Sequence, residues 1–566
     1  MSTPSISHLL QSPQSPHSPL SRRQWLSSIG TSMGSLAAVA LAPGWAVAAN
    51  AAAQRWQHNA FALGVASGSP RPDGMVLWSR LLPEGFVPGV AEAASTAGAA
   101  QARAGWGAVP VLWEVAHDEA FARVVQSGQA LALPELGHSV HVELQGLAAD
   151  RWYFYRFRVG AVTSPTGRTR TLPAEGQSLQ AGSRWRMAYA SCQRWEHGHY
   201  GAWRHMQDEQ LDMVAFVGDY IYESTRRPGD VRSHSLALPQ TLDDYRDRYA
   251  LYKSDPQLQA MHAQCPWLLT WDDHEVLNNY AADFAPGKLD PAAAQAFAAQ
   301  RQAAYQAYYE NQPLPLSSWL GAGKGLQLYQ RQRCGALLDW HVLDTRQYRA
   351  APACSGPDGK KGSTKASACA ELTDPSRSLL GTAQEQWLAQ GLQQSQKSGA
   401  RWTVLVQTTR FGPNAMGGVT PHTSVSNDNW DGYPAARQRL LQTLQDSRAP
   451  NPVLLGGDVH SNWVGHALAD YRQPMGPRNP ALAVEFTGTS ISSNYGGAAH
   501  VPQQVADNPH WVLGEGSLRG YGVVEFGAKQ LTTTLRVLDD VTQPDSGVRT
   551  LARLAVEAGS NRVQQA

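Results

Sequence analysis

The sequence predicts a layered α/β domain that is preceded by a small all-β domain. From residue 56 to residue 175, short runs rich in β-branched and aromatic residues are separated by Gly, Pro and Asp, a pattern typical of consecutive strands. After Ser183, apolar runs alternate with longer helical patterns, which is typical of strands covered by helices. The length of 566 residues exceeds one usual core and agrees with two domains.

The N-terminus has the composition of an export signal. Arg22 and Arg23 precede a weakly apolar segment, residues 29–42, and Ala46-Val47-Ala48 fits a small-residue cleavage site. The paired arginines are similar to the twin-arginine signal, whose route carries folded proteins. We expect residues 1–48 to engage the twin-arginine export machinery, and the protein to be periplasmic or secreted. The alternative is a disordered basic tail. The apolar segment is too short for a stable membrane span.

The net charge argues against two classes of partner. The formal charge is +1, and loss of Arg22 and Arg23 with the signal would change it to −1. A nearly neutral protein has no electrostatic footprint for nucleic acid or for an anionic membrane. An anionic substrate must therefore be held by local arginines or by bound cations. We expect a monomer.

Residues 56–175 are expected to form a β-sandwich. Leu147, followed by Trp152-Tyr153-Phe154-Tyr155, is similar to the loop-to-strand corner of immunoglobulin and fibronectin-III domains, which have about one hundred residues. Residues 183–545 are expected to form the α/β domain. Residues 546–566 are expected to be a fraying C-terminal tail.

Two of the five cysteines are predicted to form a disulfide. Cys354 and Cys369 flank a loop rich in Gly, Lys and Ser, as expected of a local disulfide in an oxidising compartment. Cys265 and Cys334 lie next to apolar runs and are predicted to be buried thiols. Cys192 differs, because it is the first polar group after an apolar run.

Residues with metal-binding or anion-binding side chains follow five apolar runs of the α/β domain. These residues are Cys192, 219–223, 272–275, 408–410 and 458–460. Ligands of layered α/β proteins bind beyond the carboxyl ends of the strands, so we predict that these residues meet in one site. Carboxylate, imidazole, phenolate and thiolate donors together suit a transition metal beside a harder cation. Two cations can clamp the attacking and leaving oxygens of a phosphoryl transfer.

The ordered motifs resemble those of the PhoD family of alkaline phosphatases and phosphodiesterases, which is related to the purple acid phosphatases. Gly218-Asp219-x-x-Tyr222 matches their Gly-Asp-x-x-Tyr motif, Asp273-His274-Glu275 stands in place of Asn-His-Glu, and Gly457-Asp458-Val459-His460 stands in place of Gly-His-x-His. The strings "WDDHEVLNNY", "LDTRQYR" and "GGDVHSNW" are similar to the PhoD family in particular, and the likeness extends over residues 61–526. It implies a metallophosphoesterase-like domain with a two-sheet core.

The resemblance also implies a role for each candidate ligand. The ligands implied for Fe³⁺ are Cys192, Asp219, Tyr222 and His460. The ligands implied for the second cation, Ca²⁺, are Asp219, Asp273 and Asp458, with Asp219 as the bridge. Thiolate and phenolate supply the negative charge that favours Fe³⁺, and carboxylates suit Ca²⁺. Asp272 is the alternative to Asp273 if the turn is offset by one residue, and a ligand role for Gln407 is open.

Three further residues are expected to act on the substrate. His274 is expected to donate a hydrogen bond or a proton to the phosphate or leaving group, although a helix-capping role is the alternative. Arg346 and Arg410 are expected to recognise phosphate, although Arg346 suits a structural ion pair equally well.

The expected activity is hydrolysis of phosphate monoesters and diesters. Hydroxide held at the cations would attack phosphorus in line, without a covalent phosphoenzyme. The runner-up is a specialised phosphodiesterase or phospholipase D that acts on phospholipid or on a polymeric phosphodiester. A periplasmic phosphate- or metal-binding protein and a structural adhesin are the alternatives that involve no catalysis.

Overall fold

The computed structural model describes residues 58–90, 107–178, 184–225, 227–320 and 325–566. The predicted export signal, residues 1–48, therefore lies outside the described residues. In the described part of the chain, no helix is both long enough and apolar enough to span a membrane.

Twenty-four strands are formed by the described residues. The N-terminal strands are β1 (Val65–Arg71), β2 (Gly74–Arg80), β3 (Val109–Ala116), β4 (Val124–Ala132), β5 (Ser139–Glu143), β6 (Trp152–Val159), β7 (Val162–Thr163) and β8 (Gly167–Arg170). The next strands are β9 (Trp185–Ala190), β10 (Met213–Val217), β11 (Trp267–Thr270), β12 (Gln330–Cys334), β13 (Leu338–Val342), β14 (Ser363–Lys365), β15 (Trp402–Val406) and β16 (Ser424–Ser426). The last are β17 (Pro452–Gly456), β18 (Asn462–Leu468), β19 (Ala481–Thr487), β20 (Trp511–Glu515), β21 (Gly520–Phe526), β22 (Gln530–Leu538), β23 (Val548–Glu557) and β24 (Val563–Gln565).

The α-helices of the described part all follow β9 in the chain. They are α1 (Gly201–Met206), α2 (Leu242–Lys253), α3 (Pro256–Gln264), α4 (Pro291–Asn311), α5 (Thr382–Ser398), α6 (Pro434–Ser447) and α7 (Val501–Asp507). Three of them begin with a side-chain cap: Thr241 and Asp244 form a capping box at α2, Asp255 caps α3, and Asp290 caps α4.

Two large sheets form the centre of the protein. One has ten strands in the order β24-β23-β22-β21-β9-β10-β11-β1-β2-β5, and the other has seven in the order β12-β13-β15-β17-β19-β18-β20. Strands β9, β10 and β11 are parallel neighbours, and so are β13, β15, β17 and β19. Side chains of both sheets, such as Met187 and Ala215 from one and Val404 and Leu455 from the other, share one apolar cluster.

Helices cover the outer faces of the two sheets. Residues of α1 to α4 pack with the outer face of the ten-stranded sheet, and residues of α5 and α6 pack with the outer face of the seven-stranded sheet. The result is a layered α/β domain with a two-sheet core, as the sequence and the family resemblance predicted. The parallel strands carry their ligand-bearing turns at one edge of this core.

The N-terminal strands are divided between two sheets. Strands β3, β4, β6, β7 and β8 form a separate antiparallel sheet, whereas β1, β2 and β5 extend the ten-stranded sheet through the parallel pair of β1 with β11. Phe61, Val111 and Tyr155 belong to an apolar cluster between them. The region is all-β as expected, but it shares a sheet with the α/β domain. Its relation to immunoglobulin or fibronectin-III domains stays a prediction.

The C-terminal segment corrects one prediction. Residues 546–566 were expected to fray, but β23 pairs with β22 from Val548 to Glu557 and β24 pairs with β23 at the sheet edge. Leu554 and Val556 are buried in the core between the sheets. The first six residues of β23 are exposed or only partly buried, and Arg549 and Arg553 are among them, so the strand has a weak hydrophobic signal.

A disulfide joins Cys354 and Cys369, whose Cα atoms are 6.2 Å apart. Cys192, Cys265 and Cys334 are free and buried.

Candidate metal centre

The turns after β10 and β11 are pressed together. Gly218 has a φ of 105°, and a Cβ at this position would lie only 2.5 Å from Cβ of Asp272. The Glu275 carboxylate joins the two turns, because it accepts hydrogen bonds from the backbone nitrogens of Asp219 (3.1 Å), Tyr220 (2.7 Å) and Asp272 (3.0 Å). Glycine and a buried carboxylate are therefore both needed to bring the ligand-bearing turns side by side.

Four candidate ligands have an unusual backbone conformation. The φ angles are 60° at Cys192, 59° at Asp219, 66° at Asp458 and 53° at His460. Non-glycine residues in this left-handed region cost on the order of 1 kcal/mol or more and concentrate at functional sites. The turns that follow the strands are thus shaped to aim these side chains at the sheet edge.

The candidate ligands form two groups that share one residue. Ligand atoms of Cys192, Asp219 and His460 all lie within 4.8 Å of one another, and so do those of Asp219, Asp273 and His274. The Tyr222 hydroxyl joins the first group, since it is 2.8 Å from Oδ2 of Asp219 and 3.1 Å from Nε2 of His460. Asp219 lies at the centre of the arrangement, between the two groups.

Asp458 lies beside these two groups. Among the described residues, it is a member of neither group. Its Oδ2 accepts a hydrogen bond of 2.5 Å from the Thr409 hydroxyl. Burial, together with the negative charge of Asp272 and of Asp273, raises the pKa of Asp458 to about 8. The carboxylate is therefore close enough to the other acids to be repelled by them.

The electrostatics of the donor set fit bound cations. Burial raises the pKa values of Cys192, Tyr222 and Asp219 well above their ordinary ranges, and the neighbouring carboxylates raise them further. A bound cation favours the deprotonated form of each such ligand and removes this repulsion. Thiolate, phenolate and imidazole on one side of Asp219 suit a transition metal, and the carboxylates of Asp219 and Asp273 on the other side, where the His274 ring also lies, suit a harder cation.

His274 is oriented by Glu223. Its Nδ1 lies 2.6 Å from Oε2 of Glu223, whose other oxygen accepts a hydrogen bond of 2.8 Å from the backbone nitrogen of Asn278. Burial opposes protonation of His274, but the negative charges of Glu223, Asp219 and Asp273 prevail and raise its pKa well above the ordinary value. The ring also packs on Tyr222, with 4.1 Å between the ring centroids.

Arg346 does not have the position expected of a phosphate-binding residue. Its side chain has no exposed surface, and its nitrogens bind Asp272 (2.6 and 3.2 Å) and Asp428 (2.7 and 2.9 Å). Both edges of the guanidinium are thus occupied by carboxylates, so that it serves the structural ion pair instead. Arg346 also lies 3.5 Å from Asp273, but Asp273 rather than Asp272 is the aspartate of this turn with a ligand atom in the second group.

Arg410 and Gln407 support the turn after β15. Arg410 is buried, donates to the carbonyl of Gly412 at 3.3 Å and lies 3.5 Å from Asp431. The Gln407 amide oxygen accepts a hydrogen bond of 3.1 Å from the Trp430 indole, and its nitrogen donates to the Thr409 carbonyl. The turn presents Thr409 to Asp458, and Arg410 is absent from the lining of the cavity that the described residues form at the site.

This cavity has a volume of about 550 Å³. Three predicted residues, Tyr222, His274 and His460, line it. Glu223, which belongs to the predicted segment 219–223, lines it too, whereas sequence reasoning missed Arg194 and Asn494. Arg194 follows the predicted ligand Cys192 closely in the chain, and this proximity was the signal that could have found it. Asn494, whose backbone oxygen binds Nδ1 of His460 at 2.7 Å, has no such signal.

Comparisons with known proteins agree with this geometry. Residues 187–535 match the family model of the PhoD-like phosphatases, and residues 46–173 match the model of the PhoD-like phosphatase N-terminal domain. Alkaline phosphatase D of Bacillus subtilis (strain 168) is 41% identical over 509 residues, which are 88% of this chain and 81% of that protein. A solved structure described as PhoD has a TM-score of 0.80 and 38% identity, covering 90% of this chain and 92% of that chain.

The fold and the site define a layered α/β hydrolase in which two groups of metal-binding side chains share the carboxylate of Asp219. The chain belongs to the PhoD-like phosphatase family, and its class is that of the phosphoric ester hydrolases.

Proposed function

We propose that the protein is an exported phosphoesterase that uses two cations to hydrolyse phosphate monoesters and diesters. The observation that carries this proposal is the position of Asp219, whose carboxylate belongs to both groups of ligand atoms within 4.8 Å. A carboxylate shared by two cations holds them close enough to clamp one phosphoryl group. Membership of the PhoD-like phosphatases supports phosphate esters as the substrate class.

The proposed cations are Fe³⁺ and Ca²⁺. Fe³⁺ would be held by Cys192, Asp219, Tyr222 and His460, and Ca²⁺ by Asp219, Asp273 and Asp458. The thiol and phenol on one side, and on the other the carboxylate of Asp273 with Asp458 beside it, support this division, although the His274 ring lies in the second group as well. When bound, the cations polarise the phosphoryl oxygens and lower the pKa of a water molecule.

His274 is proposed to protonate the leaving group. Because Glu223 holds Nδ1, the opposite nitrogen, Nε2, is the ring atom that can exchange a proton with a substrate. The negative charge of Glu223 raises the pKa of His274 and so favours the protonated ring that a general acid requires. Glu223 also prevents rotation of the ring, because its second oxygen is bound to the backbone of Asn278.

The cavity supports a substrate larger than phosphate alone. Its volume of about 550 Å³ lies within the usual range for sites that bind small organic molecules. Leu238, which is 53% exposed, offers an apolar surface in its lining. We therefore include diesters, whose second organic group needs such room.

Export by the twin-arginine route to the periplasm or the exterior is part of the proposal. The disulfide between Cys354 and Cys369 supports it, since disulfides persist in oxidising compartments. The protein is proposed to act as a monomer, with an N-terminal accessory sandwich of the immunoglobulin or fibronectin-III type.

Hydrolysis is tested with nitrophenyl phosphate and bis-nitrophenyl phosphate, a monoester and a diester. We expect Asp219→Asn to lower both rates by at least about 100-fold, since even outer-shell changes at metal sites cost 10- to 100-fold. Asp446→Asn, on the exposed face of α6, is the matched control and is expected to keep both rates. Full activity of Asp219→Asn would reject the proposal, and a large preference for the diester would favour the specialised phosphodiesterase.

The cations are tested by metal analysis and visible absorption of the exported protein. A phenolate-to-Fe³⁺ band should disappear in Tyr222→Phe. It should remain in Tyr220→Phe, because the Tyr220 hydroxyl binds Nε2 of His262 at 2.8 Å instead. Zinc as the main metal, with no visible band, would reject Fe³⁺ without affecting the phosphoesterase assignment.

A further inference from the structure

The sequence predicts that Arg346 and Arg410 recognise the phosphoryl group, and neither of them is suited to this role. Arg346 is saturated by two aspartates, and Arg410 is held by Asp431 and Gly412. Among the described residues, the arginines that line the cavity are Arg194 and Arg227.

Arg194 is fixed at the wall of the cavity. Its backbone nitrogen donates to the Ser493 hydroxyl at 3.1 Å, and its carbonyl accepts from the Ser492 hydroxyl at 2.7 Å. Ser493 Oγ is also 2.9 Å from the Tyr222 hydroxyl. One loop therefore positions both Arg194 and a candidate ligand, and the distance between them is set by hydrogen bonds.

The guanidinium of Arg194 is only partly used. Its Nε lies 3.4 Å from Oε2 of Glu196, whereas its Nη2 is buried and has no hydrogen-bond partner among the described residues. The side chain is 12% exposed, and its guanidinium carbon is 5.9 Å from the centre of the Tyr222 ring. A buried donor without an acceptor is costly, and an anionic oxygen would satisfy it with a charge-assisted bond.

Neighbouring groups leave this positive charge available. Glu196 is shared, since one of its oxygens binds the Ser224 hydroxyl at 2.8 Å and His234 at 3.2 Å. Burial and then the charge of Arg194 lower the pKa of His197 to about 4, so His197 is neutral and does not compete for an anion. Arg227 also lines the cavity, but its side chain is exposed to solvent, whereas that of Arg194 is largely buried.

We infer that Arg194 binds a non-bridging phosphoryl oxygen of the substrate and of the phosphate product. This role deepens the proposed function and rests on it. Arg194 would thus do what the sequence suggested for Arg346 and Arg410. Its position next to Tyr222 places a fixed cationic group beside the cation clamp, where it can stabilise charge on the equatorial oxygens.

The experiment compares Arg194→Gln and Arg194→Lys with the wild type, all as the full metal-loaded protein. We expect Arg194→Gln to raise the KM for nitrophenyl phosphate and the inhibition constant of inorganic phosphate by about 10- to 100-fold, the range for loss of a hydrogen bond to a charged group. Arg194→Lys should recover part of the affinity, because it keeps the charge but not the planar fork. Arg472→Gln, an exposed arginine paired with Asp470, is the charge-matched control and should change neither constant.

A second measurement separates binding from turnover. Inorganic phosphate should raise the Tm of the wild type and of Arg472→Gln but not that of Arg194→Gln, at equal metal content. An unchanged phosphate inhibition constant and an unchanged Tm response in Arg194→Gln would overturn the inference. A wild type that is protected by phosphate but hydrolyses neither ester would instead refute the proposed function, and the Tm response would still test Arg194.

Discussion

Glu275 provides the sharpest test of how the site is assembled, because one carboxylate joins two ligand-bearing turns. It is fully buried and accepts three backbone N–H groups, from Asp219, Tyr220 and Asp272. Burial raises its pKa to about 7 against the opposing effect of these hydrogen bonds. The substitution Glu275→Gln at pH 8 therefore replaces an ionised group by a neutral one of nearly the same shape.

The structure sets the size of the effect. The Oε2 atom of Glu275 serves Asp219 and Asp272, and Oε1 serves Tyr220. A glutamine has one oxygen, so in its better orientation the amide nitrogen faces the N–H of Tyr220. One buried N–H then lacks an acceptor, and the remaining bonds lose their ionic character, which together should lower the free energy of unfolding by about 2–4 kcal/mol.

Glu485 is the matched control for this substitution. It is also buried, and it accepts the backbone nitrogens of Phe411 (2.7 Å) and Gly412 (2.8 Å) without a bond to any candidate ligand. Glu485→Gln should lose a similar amount of stability in urea unfolding at pH 8. Only Glu275→Gln should also lose cation affinity, by about 10- to 100-fold, as changes that support metal ligands do.

Two outcomes would refute this reasoning. If Glu275→Gln unfolded at the wild-type urea concentration, its three hydrogen bonds would not stabilise the turns. If both variants retained cations equally in a dialysis series, Glu275 would contribute to folding without positioning the ligands.

Two further predictions concern stability away from the site. The disulfide between Cys354 and Cys369 closes a loop with a sequence separation of 15. Replacing Cys354 by Ser should lower the free energy of unfolding by about 3 kcal/mol, whereas kcat should stay near the wild-type value. Equal urea midpoints of the wild type with and without a reductant would contradict this. Burial lowers the pKa of His510 to about 3. Below about pH 6.5 the unfolded chain therefore binds more protons than the folded protein, and the free energy of unfolding decreases as the pH is lowered. From pH 7 to pH 5 His510 should contribute about 2 kcal/mol to this loss, beside the other buried histidines, so the loss should be about 2 kcal/mol smaller in His510→Gln than in the wild type; an equal loss in urea unfolding at the two pH values would contradict this.

Much of the fold could be predicted from local patterns. Fully apolar runs such as those of β10 and β17 predict buried parallel strands, and the turns that follow them must lie at one edge of the sheets. Asp219 and His460 meet for this reason, although 241 positions separate them. The strand β23 could not be predicted as readily, since its exposed half carries arginines and its buried half is short.

Ion pairing could not be predicted from the same patterns. A guanidinium fits a carboxylate and a phosphate equally well, so the sequence around Arg346 is compatible with both roles. The folded chain places Asp272 and Asp428 against it, and Arg194, which no motif had singled out, lines the cavity instead. Similarly, only the folded chain shows that an oxygen of Asp273, and not of Asp272, lies with Asp219 in a group of ligand atoms.

The order of apolar runs and of the polar residues that end them thus determines the layered architecture and the types of ligand at its edge, because strand direction alone brings those turns together. The partners of Arg346, the exposure of Arg194 to the cavity and the sharing of Asp219 between two ligand groups are decided only in the folded chain. They depend on distances of a few ångströms between segments far apart in sequence, and hydrogen bonds and ion pairs act only over such distances.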